Sequence, residues 1–201
     1  MLTDQIRKIQ SLTLDTNVLL DLPELPKYFD FEPKGDEQNA RKKRVLDSYM
    51  TAVICLSENV SVRKVGIKIV EKELGKTRWL LPVYYQIFPS SVKPDRTAKK
   101  LAETYMANAG LKPADALIVG TASANNIDVL LTWNRTDLAR DSVRQKIGEI
   151  NKAARMHVPF ICDPTYFIDR LIGSEGKSTM SLALSPSPVP KAYRLGFYPS
   201  R

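Results

Sequence analysis

The sequence predicts an α/β sandwich with a mainly parallel central sheet, and three observations carry that expectation. Short apolar, strand-like runs alternate with longer segments of helical spacing from residue 11 to residue 172. The two best-marked helices carry proline at their start, and the first of them has a glycine stop. Acidic or amide residues recur at or just past strand-like runs, where open α/β sheets collect their ligands.

"SLTL" at 11–14 reads as a buried strand ending at Asp15, followed by a helix or turn through "TNVLLDLPE". From Pro26 to Lys43 the composition turns polar, with Gly35 and the basic run "RKKR" at 41–44, and reads as a loop leading into a helix. "TAVICL" at 51–56 looks like a second strand. "SVRKVGIKIVEKELGK" shows helical spacing through Val62, Val65, Ile69 and Leu74. "WLLPVYYQIF" at 79–88 is a β-rich apolar run that Pro82 restricts to an edge or irregular strand.

"KPDRTAKKLAETYMANAG" follows as a helix, with Pro94 in its first turn, Gly110 at its stop and an apolar stripe of Ala98, Leu101, Ala102, Tyr105, Met106 and Ala109. Pro113 opens a second helix in "KPADALIVGTASANN". "IDVLLTW" at 127–133 is a buried strand, "SVRQKIGEINKAARM" a polar helix and "VPFIC" at 158–162 a last strand, after which Asp163 caps "TYFIDRLIG". From Gly173 onward Ser, Pro and Gly dominate without periodicity, so residues 1–172 read as one domain and 173–201 as a flexible tail.

Composition narrows the chemistry. The chain is 43% hydrophobic and 26% charged, as expected of a soluble globular protein. It contains no apolar run of the roughly 20 residues that span a bilayer, and "MLTDQIRKIQ" lacks a signal-peptide core, so a cytoplasmic protein without a membrane partner is expected. Cys55 and Cys162 each sit in an apolar segment and read as reduced core residues. His157 is the single histidine, which excludes a Cys/His zinc site and leaves hydrolytic chemistry mainly to carboxylates and metal. The net charge of +8 favours a polyanionic partner; the tail, with four Lys/Arg and one Glu, carries three of those charges.

The carboxylates have a pattern. Asp15 closes the first strand, Asp115 lies in the first turn of the helix that Pro113 opens, Asn134 and Asp137 follow "DVLLTW", and Glu58 follows "TAVICL". Carboxylates gathered at strand ends repel one another unless a cation neutralises them, and hard oxygen ligands select Mg²⁺ or Mn²⁺. Each has a structural account as well: Asp15 as a helix N-cap, Asp115 as a complement to the helix dipole. Asp128 reads as a loop residue entering a strand, Asp163 as an N-cap, Asp21 as a solvated helix residue, His157 as a surface turn residue and Trp133 as packed at a strand end. Lys99, Lys100, the 41–44 run, Arg135 and Arg140 read as a solvated face, or as phosphate-holding groups if they rim the cleft.

The segments "LDTNVLLD", "GLKPADALIVGTASANNIDVLLTWNRTDLA" and "EINKAARMHVPFICDPTYFI" together resemble the PIN-domain ribonucleases, a family that includes many toxins of toxin–antitoxin pairs; the resemblance spans roughly residues 11–172. It implies a PIN-like α/β/α sandwich. Asp15 would be the first metal ligand, with Thr16 and Asn17 as polar supports, and Asp115 the central metal-binding aspartate. The glutamate that the family carries on the helix after its second strand is matched by Glu58, with Glu71 and Glu73 as fallbacks. Thr132 and Asn134 fall in the family's Thr-Trp-Asn strand end; Asn134 stands where many relatives have Asp, and Asp137 would serve one turn later.

The implied activity is Mg²⁺- or Mn²⁺-dependent endoribonuclease cleavage that leaves a 5′-phosphate and a 3′-hydroxyl. The expected partners are RNA, a small antitoxin protein and a second copy of the chain in a homodimer. Two other classes compete. One is a catalytically degenerate PIN-like module that binds RNA or protein. The other is a haloacid-dehalogenase-type phosphatase, disfavoured because Asn17 stands where that chemistry needs a second Asp. In the tail, "KAYRLGFYPSR" interleaves Lys191, Arg194 and Arg201 with Tyr193, Phe197 and Tyr198, a mix suited to bases and phosphates or to a groove on protein.

Overall fold

The computed structural model describes residues 9–28, 33–56 and 62–172; Glu58 and the expected tail, 173–201, lie outside them. The main sheet has four strands, β1 (Ser11–Leu14), β2 (Arg63–Lys64), β5 (Val129–Leu131) and β6 (Phe160–Cys162), in the order β2-β1-β5-β6. All its pairings are parallel, with Leu12 opposite Val129 and Leu131 opposite Cys162. Every residue of β1 and β5 is buried, as in a parallel sheet with helices on both faces. A second, two-stranded parallel sheet pairs β3 (Gly66–Ile67) with β4 (Ser91–Val92). The expected α/β class with a parallel sheet is what the chain forms.

The helices are α1 (Thr16–Leu19), α2 (Asp36–Leu56), α3 (Lys68–Leu74), α4 (Leu81–Ile87), α5 (Arg96–Ala109), α6 (Pro113–Ala124), α7 (Asp141–Ala153) and α8 (Pro164–Tyr166). The last runs on as a π-helical turn, Phe167–Ile172. Short 3₁₀ turns, Leu22–Tyr28 and Arg78–Leu80, precede α2 and α4. No helix among the described residues is long and apolar enough to cross a membrane.

Four expected elements differ. "TAVICL" is the last part of α2, and the "RKKR" run lies inside that same helix. Val45, Ser48, Ala52 and Cys55 recur at helical spacing on its buried face, so packing outweighs the β preference of Val and Ile. "WLLPVYYQIF" is also helical: Pro82 sits in the first turn of α4, where its missing N–H costs nothing, and Tyr84, Ile87 and Phe88 turn inward. "SVRKVGIKIVEKELGK" begins as β2 and β3 and becomes helical only at Lys68. α5 starts two residues after Pro94, so Pro94 is not in its first turn, and Asp95 is its N-cap, accepting from the Ala98 N–H at 2.7 Å. Gly110 closes it at φ 69°, the left-handed conformation a helix stop favours, and the expected stripe is buried except for Met106.

α5 and α6 approach closely at Gly120, where an added Cβ would lie 2.5 Å from the Ala98 carbonyl oxygen. The obstacle is backbone, so it cannot swing aside. Gly120→Ala is expected to destabilise the protein by about 1–3 kcal/mol, the usual cost of overpacking. Urea unfolding checks this, and a variant as stable as wild type would show slack between the two helices.

At the N-terminal ends of the strands, Asp128 joins β1 to β5. Its carboxylate accepts from the backbone N–H groups of Gln10 and Ser11 at 2.8 and 2.9 Å and from the Ser11 hydroxyl at 3.1 Å. His157 Nε2 lies 3.4 Å from the other Asp128 oxygen, so the lone histidine stands at the end of the sheet away from Asp15. Asp163 caps α8 as expected, accepting from the Tyr166 N–H at 2.8 Å. Cys55 and Cys162 are free and buried.

Candidate functional site

From β1 the chain crosses to β2 on one side, while β5 lies on the other side and leads on to β6. The carboxyl ends of β1 and β5 therefore border the switch point of the sheet, the crevice where α/β folds place ligands. Because Leu14 pairs with Leu131, Asp15 and Thr132 emerge side by side, and the Asp15 N–H donates to Leu131 O at 2.8 Å.

Asp15 is 4% exposed and is held by neutral donors. The Thr132 hydroxyl and the Asn17 amide donate to its Oδ2 at 2.7 and 2.8 Å, and the Thr16 N–H donates to Oδ1 at 2.7 Å. Asn17 in turn accepts from the Trp133 N–H at 2.9 Å, which locks α1 to the end of β5. Thr132 Oγ1 accepts from the Asn134 N–H at 3.0 Å. The Asn134 amide donates to Asp115 Oδ2 at 3.2 Å, and its oxygen accepts from the Asp137 N–H at 3.1 Å. Thr16, Asn17, Thr132 and Asn134 thus form one hydrogen-bonded chain from β1 across β5 to the start of α6.

Among the described residues a third carboxylate, Glu73, joins them by accepting from the Thr16 hydroxyl. Its neighbour on α3, Glu71, is turned elsewhere, onto Lys68 at 2.6 Å and the Tyr85 hydroxyl at 3.1 Å. Two residues apart on a helix face directions about 200° apart, so only one of the pair reaches the crevice. Of the two fallback glutamates, Glu73 is the one at Asp15. Asp137 is ion-paired to Lys112 at 2.8 Å.

These carboxylates feel one another's charge. Burial pushes Asp15 up to about 6, the charges of Asp115 and Glu73 push the same way, and the Thr132 and Thr16 hydrogen bonds oppose them. Asp115 is raised by burial and then by Asp137 and Glu73, with Lys112 and Asn134 opposing. Asp137 is held low, chiefly by its hydrogen bond to Lys112. No Lys, Arg or His among the described residues forms an ion pair with Asp15, Glu73 or Asp115.

Such a donor set, all oxygen and short of positive charge, fits a hard divalent cation by its chemistry. As they stand, no three His, Cys, Asp or Glu side chains among the described residues are grouped closely enough to hold one ion.

Two supports escape sequence reasoning. Lys112 is exposed, and its only signal is its position immediately before Pro113 at the start of the Asp115 helix. Asp21, expected to be solvated, is 3% exposed. It takes Arg44 at 2.8 Å, Arg41 at 3.1 Å and the Ser48 hydroxyl at 3.1 Å. Ser48 accepts from the Trp133 indole N–H at 2.6 Å, so this group fixes the strand-end tryptophan from α2.

No protein-family model and no curated protein matches the chain. Fold and site together define an α/β protein with a buried aspartate, Asp15, and two half-buried carboxylates, Glu73 and Asp115, near the switch point of its parallel sheet.

Proposed function

We propose that the protein is a metal-dependent endoribonuclease of the PIN-like type, acting on RNA phosphodiester bonds. The observation that carries the reading is that Asp15, Glu73 and Asp115 are each tied to one hydrogen-bonded group at the ends of β1 and β5, with no ion-pairing cation among the described residues. Asp15 and Asp115 would hold Mg²⁺ or Mn²⁺, with Glu73 as the third carboxylate. When bound, the ion supplies the neutralising charge and the acidified water that phosphodiester hydrolysis needs. Thr132, Asn17 and the Thr16 N–H keep Asp15 ionised and aimed into the crevice, and Asn134 does the same for Asp115. Lys112 holds Asp137 at the rim and offers positive charge to an incoming phosphate. His157, beside Asp128, is at the wrong end of the sheet for acid–base work at this site, which supports attack by water rather than by a ribose hydroxyl. Cleavage would leave a 5′-phosphate and a 3′-hydroxyl. The family resemblance extends the proposal to a toxin role, a small antitoxin and a homodimer.

The competing reading, a PIN-like module that binds without cutting, draws on the amide at Asn134 in place of a carboxylate. Incubation of labelled RNA with and without Mg²⁺ or Mn²⁺, with end-group analysis of the products, separates the two. Glu73→Gln is expected to lower the metal-dependent rate by more than the roughly 10–100-fold typical of outer-shell changes, whereas Glu71→Gln leaves it near wild type. Inactivation by Glu71→Gln alone would overturn the assignment of Glu73.

A further inference from the structure

Trp133 lies directly between Thr132 and Asn134, two residues of the carboxylate cluster, and two arginines stack on it. The guanidinium carbon of Arg44 is 5.3 Å from the ring centroid and that of Arg135 is 5.5 Å away. They reach the ring from distant parts of the chain, α2 and the loop after β5. Two like charges on one ring repel, so something must hold them. Asp21 takes Arg44 through Nε at 2.8 Å, and Asp163, already capping α8, takes Arg135 at 2.8 Å. The ring adds cation–π attraction to both.

We infer that Arg44 and Arg135, held on Trp133, form a backbone-phosphate subsite for single-stranded RNA beside the carboxylate cluster. The inference rests on the reading of that cluster as a phosphodiester site. The first argument is electrostatic. A polyanion entering a crevice lined by Asp15, Glu73 and Asp115 is repelled, so cations must border its path. Arg135 follows Asn134, whose amide holds Asp115, and is therefore next to that path.

The second argument is donor supply. A guanidinium carries five N–H donors in a planar fork suited to phosphate. Among the described residues each of these arginines makes one ion pair, with its carboxylate, and the Arg135 side chain is 60% exposed. Being fixed by the ring and the carboxylates, the forks lose little freedom on binding.

The test uses the full chain in chelator, so that binding is read without cleavage. The probe is a fluorescein-labelled mixed-sequence 12-nucleotide oligoribonucleotide, followed by anisotropy across a salt series. Arg135→Gln is expected to weaken binding about threefold to tenfold at low salt, and to flatten the slope of log Kobs against log salt by about 0.7, the value for one phosphate contact on a single strand. Arg135→Lys keeps the salt slope while losing part of the affinity. Lys152→Gln, which removes the same charge at the end of α7, serves as the control and leaves the slope unchanged. Thermal melts of each variant confirm folding.

An Arg135→Gln protein that folds and binds like wild type, or like Lys152→Gln, overturns the subsite, and so does a wild-type chain that does not bind the probe. Wild-type protein that cleaves RNA while Arg135→Gln binds unchanged removes the subsite alone. Wild-type protein that binds with the expected Arg135 dependence but never cleaves with Mg²⁺ or Mn²⁺ removes the nuclease reading and keeps the subsite.

Discussion

If the proposed nuclease reading holds, Asp15→Asn is expected to lose metal-dependent RNA cleavage by more than about 100-fold, beyond the range of outer-shell changes, yet to fold as stably as wild type or more so. Burial first, and then the charges of Asp115 and Glu73, raise the affinity of Asp15 for a proton. Its carboxyl is raised to about 6 in the folded protein, against about 3.9 in an unfolded chain. The folded state therefore binds the proton more tightly. That advantage is present in full below about pH 4 and is lost as the pH rises through about 6, so at neutral pH an ionised Asp15 costs the metal-free protein on the order of 3 kcal/mol. The amide removes that cost but places a donor where Thr132 and Asn17 now donate, so only part of it is recovered. Melts of the chelated proteins at pH 5 and pH 7 should show the variant gaining on wild type at the higher pH. Asp115→Asn behaves in the same direction. A variant of either kind without a cooperative melt would make that aspartate structural and remove it from the proposed centre.

The parts of the fold legible in the sequence are those whose burial admits one explanation. β1, β5 and β6 are short apolar runs that end at Asp15, Thr132 and Asp163, polar residues with work to do at a strand end. α5 and α6 carry their own punctuation in Pro94, Gly110 and Pro113, although Pro94 falls just ahead of the helix that Asp95 caps. Residues 51–56 and 79–88 were ambiguous for a physical reason: a helix end packed into the core and a buried strand are both apolar, and β-branched or aromatic content does not separate them once packing decides. β2, β3 and β4, two residues each, are too short to show any period.

The site follows the same division. Asp15, Asp115, Thr16, Asn17, Thr132 and Asn134 could be read because each sits at the end of a legible element. Glu58, the first choice for the third carboxylate, lies outside the described residues, and of the two glutamates on α3 only the rotation of that helix separates Glu73 from Glu71. Arg44 and Arg135, far apart in sequence, meet only through Trp133.

The largest stability loss is expected at the other end of α6. Asn151, Tyr105 and Ser123 are all fully buried, and they join α7, α5 and α6 in one polar group. The Tyr105 hydroxyl donates to Asn151 Oδ1 and lies 3.2 Å from Ser123 Oγ. The Asn151 amide donates to Ser123 Oγ at 2.9 Å and to the His157 carbonyl at 2.7 Å, and Ser123 passes its own proton to Val119 O at 3.0 Å. Every member is satisfied, so the group stabilises only while complete. Asn151→Ala deprives a buried phenol of an acceptor and a carbonyl of a donor in one step, and should cost about 3 kcal/mol or more in urea unfolding. Tyr105→Phe removes one donor and should cost less, about 1–2 kcal/mol. The double variant should fall short of the sum of the two, because both remove the same bond. Additive losses would mean that the residues act separately. Per folded molecule, RNA cleavage by these variants should stay near wild type, since Asp115 is fixed at the opposite end of α6 by Asn134 and not by this group.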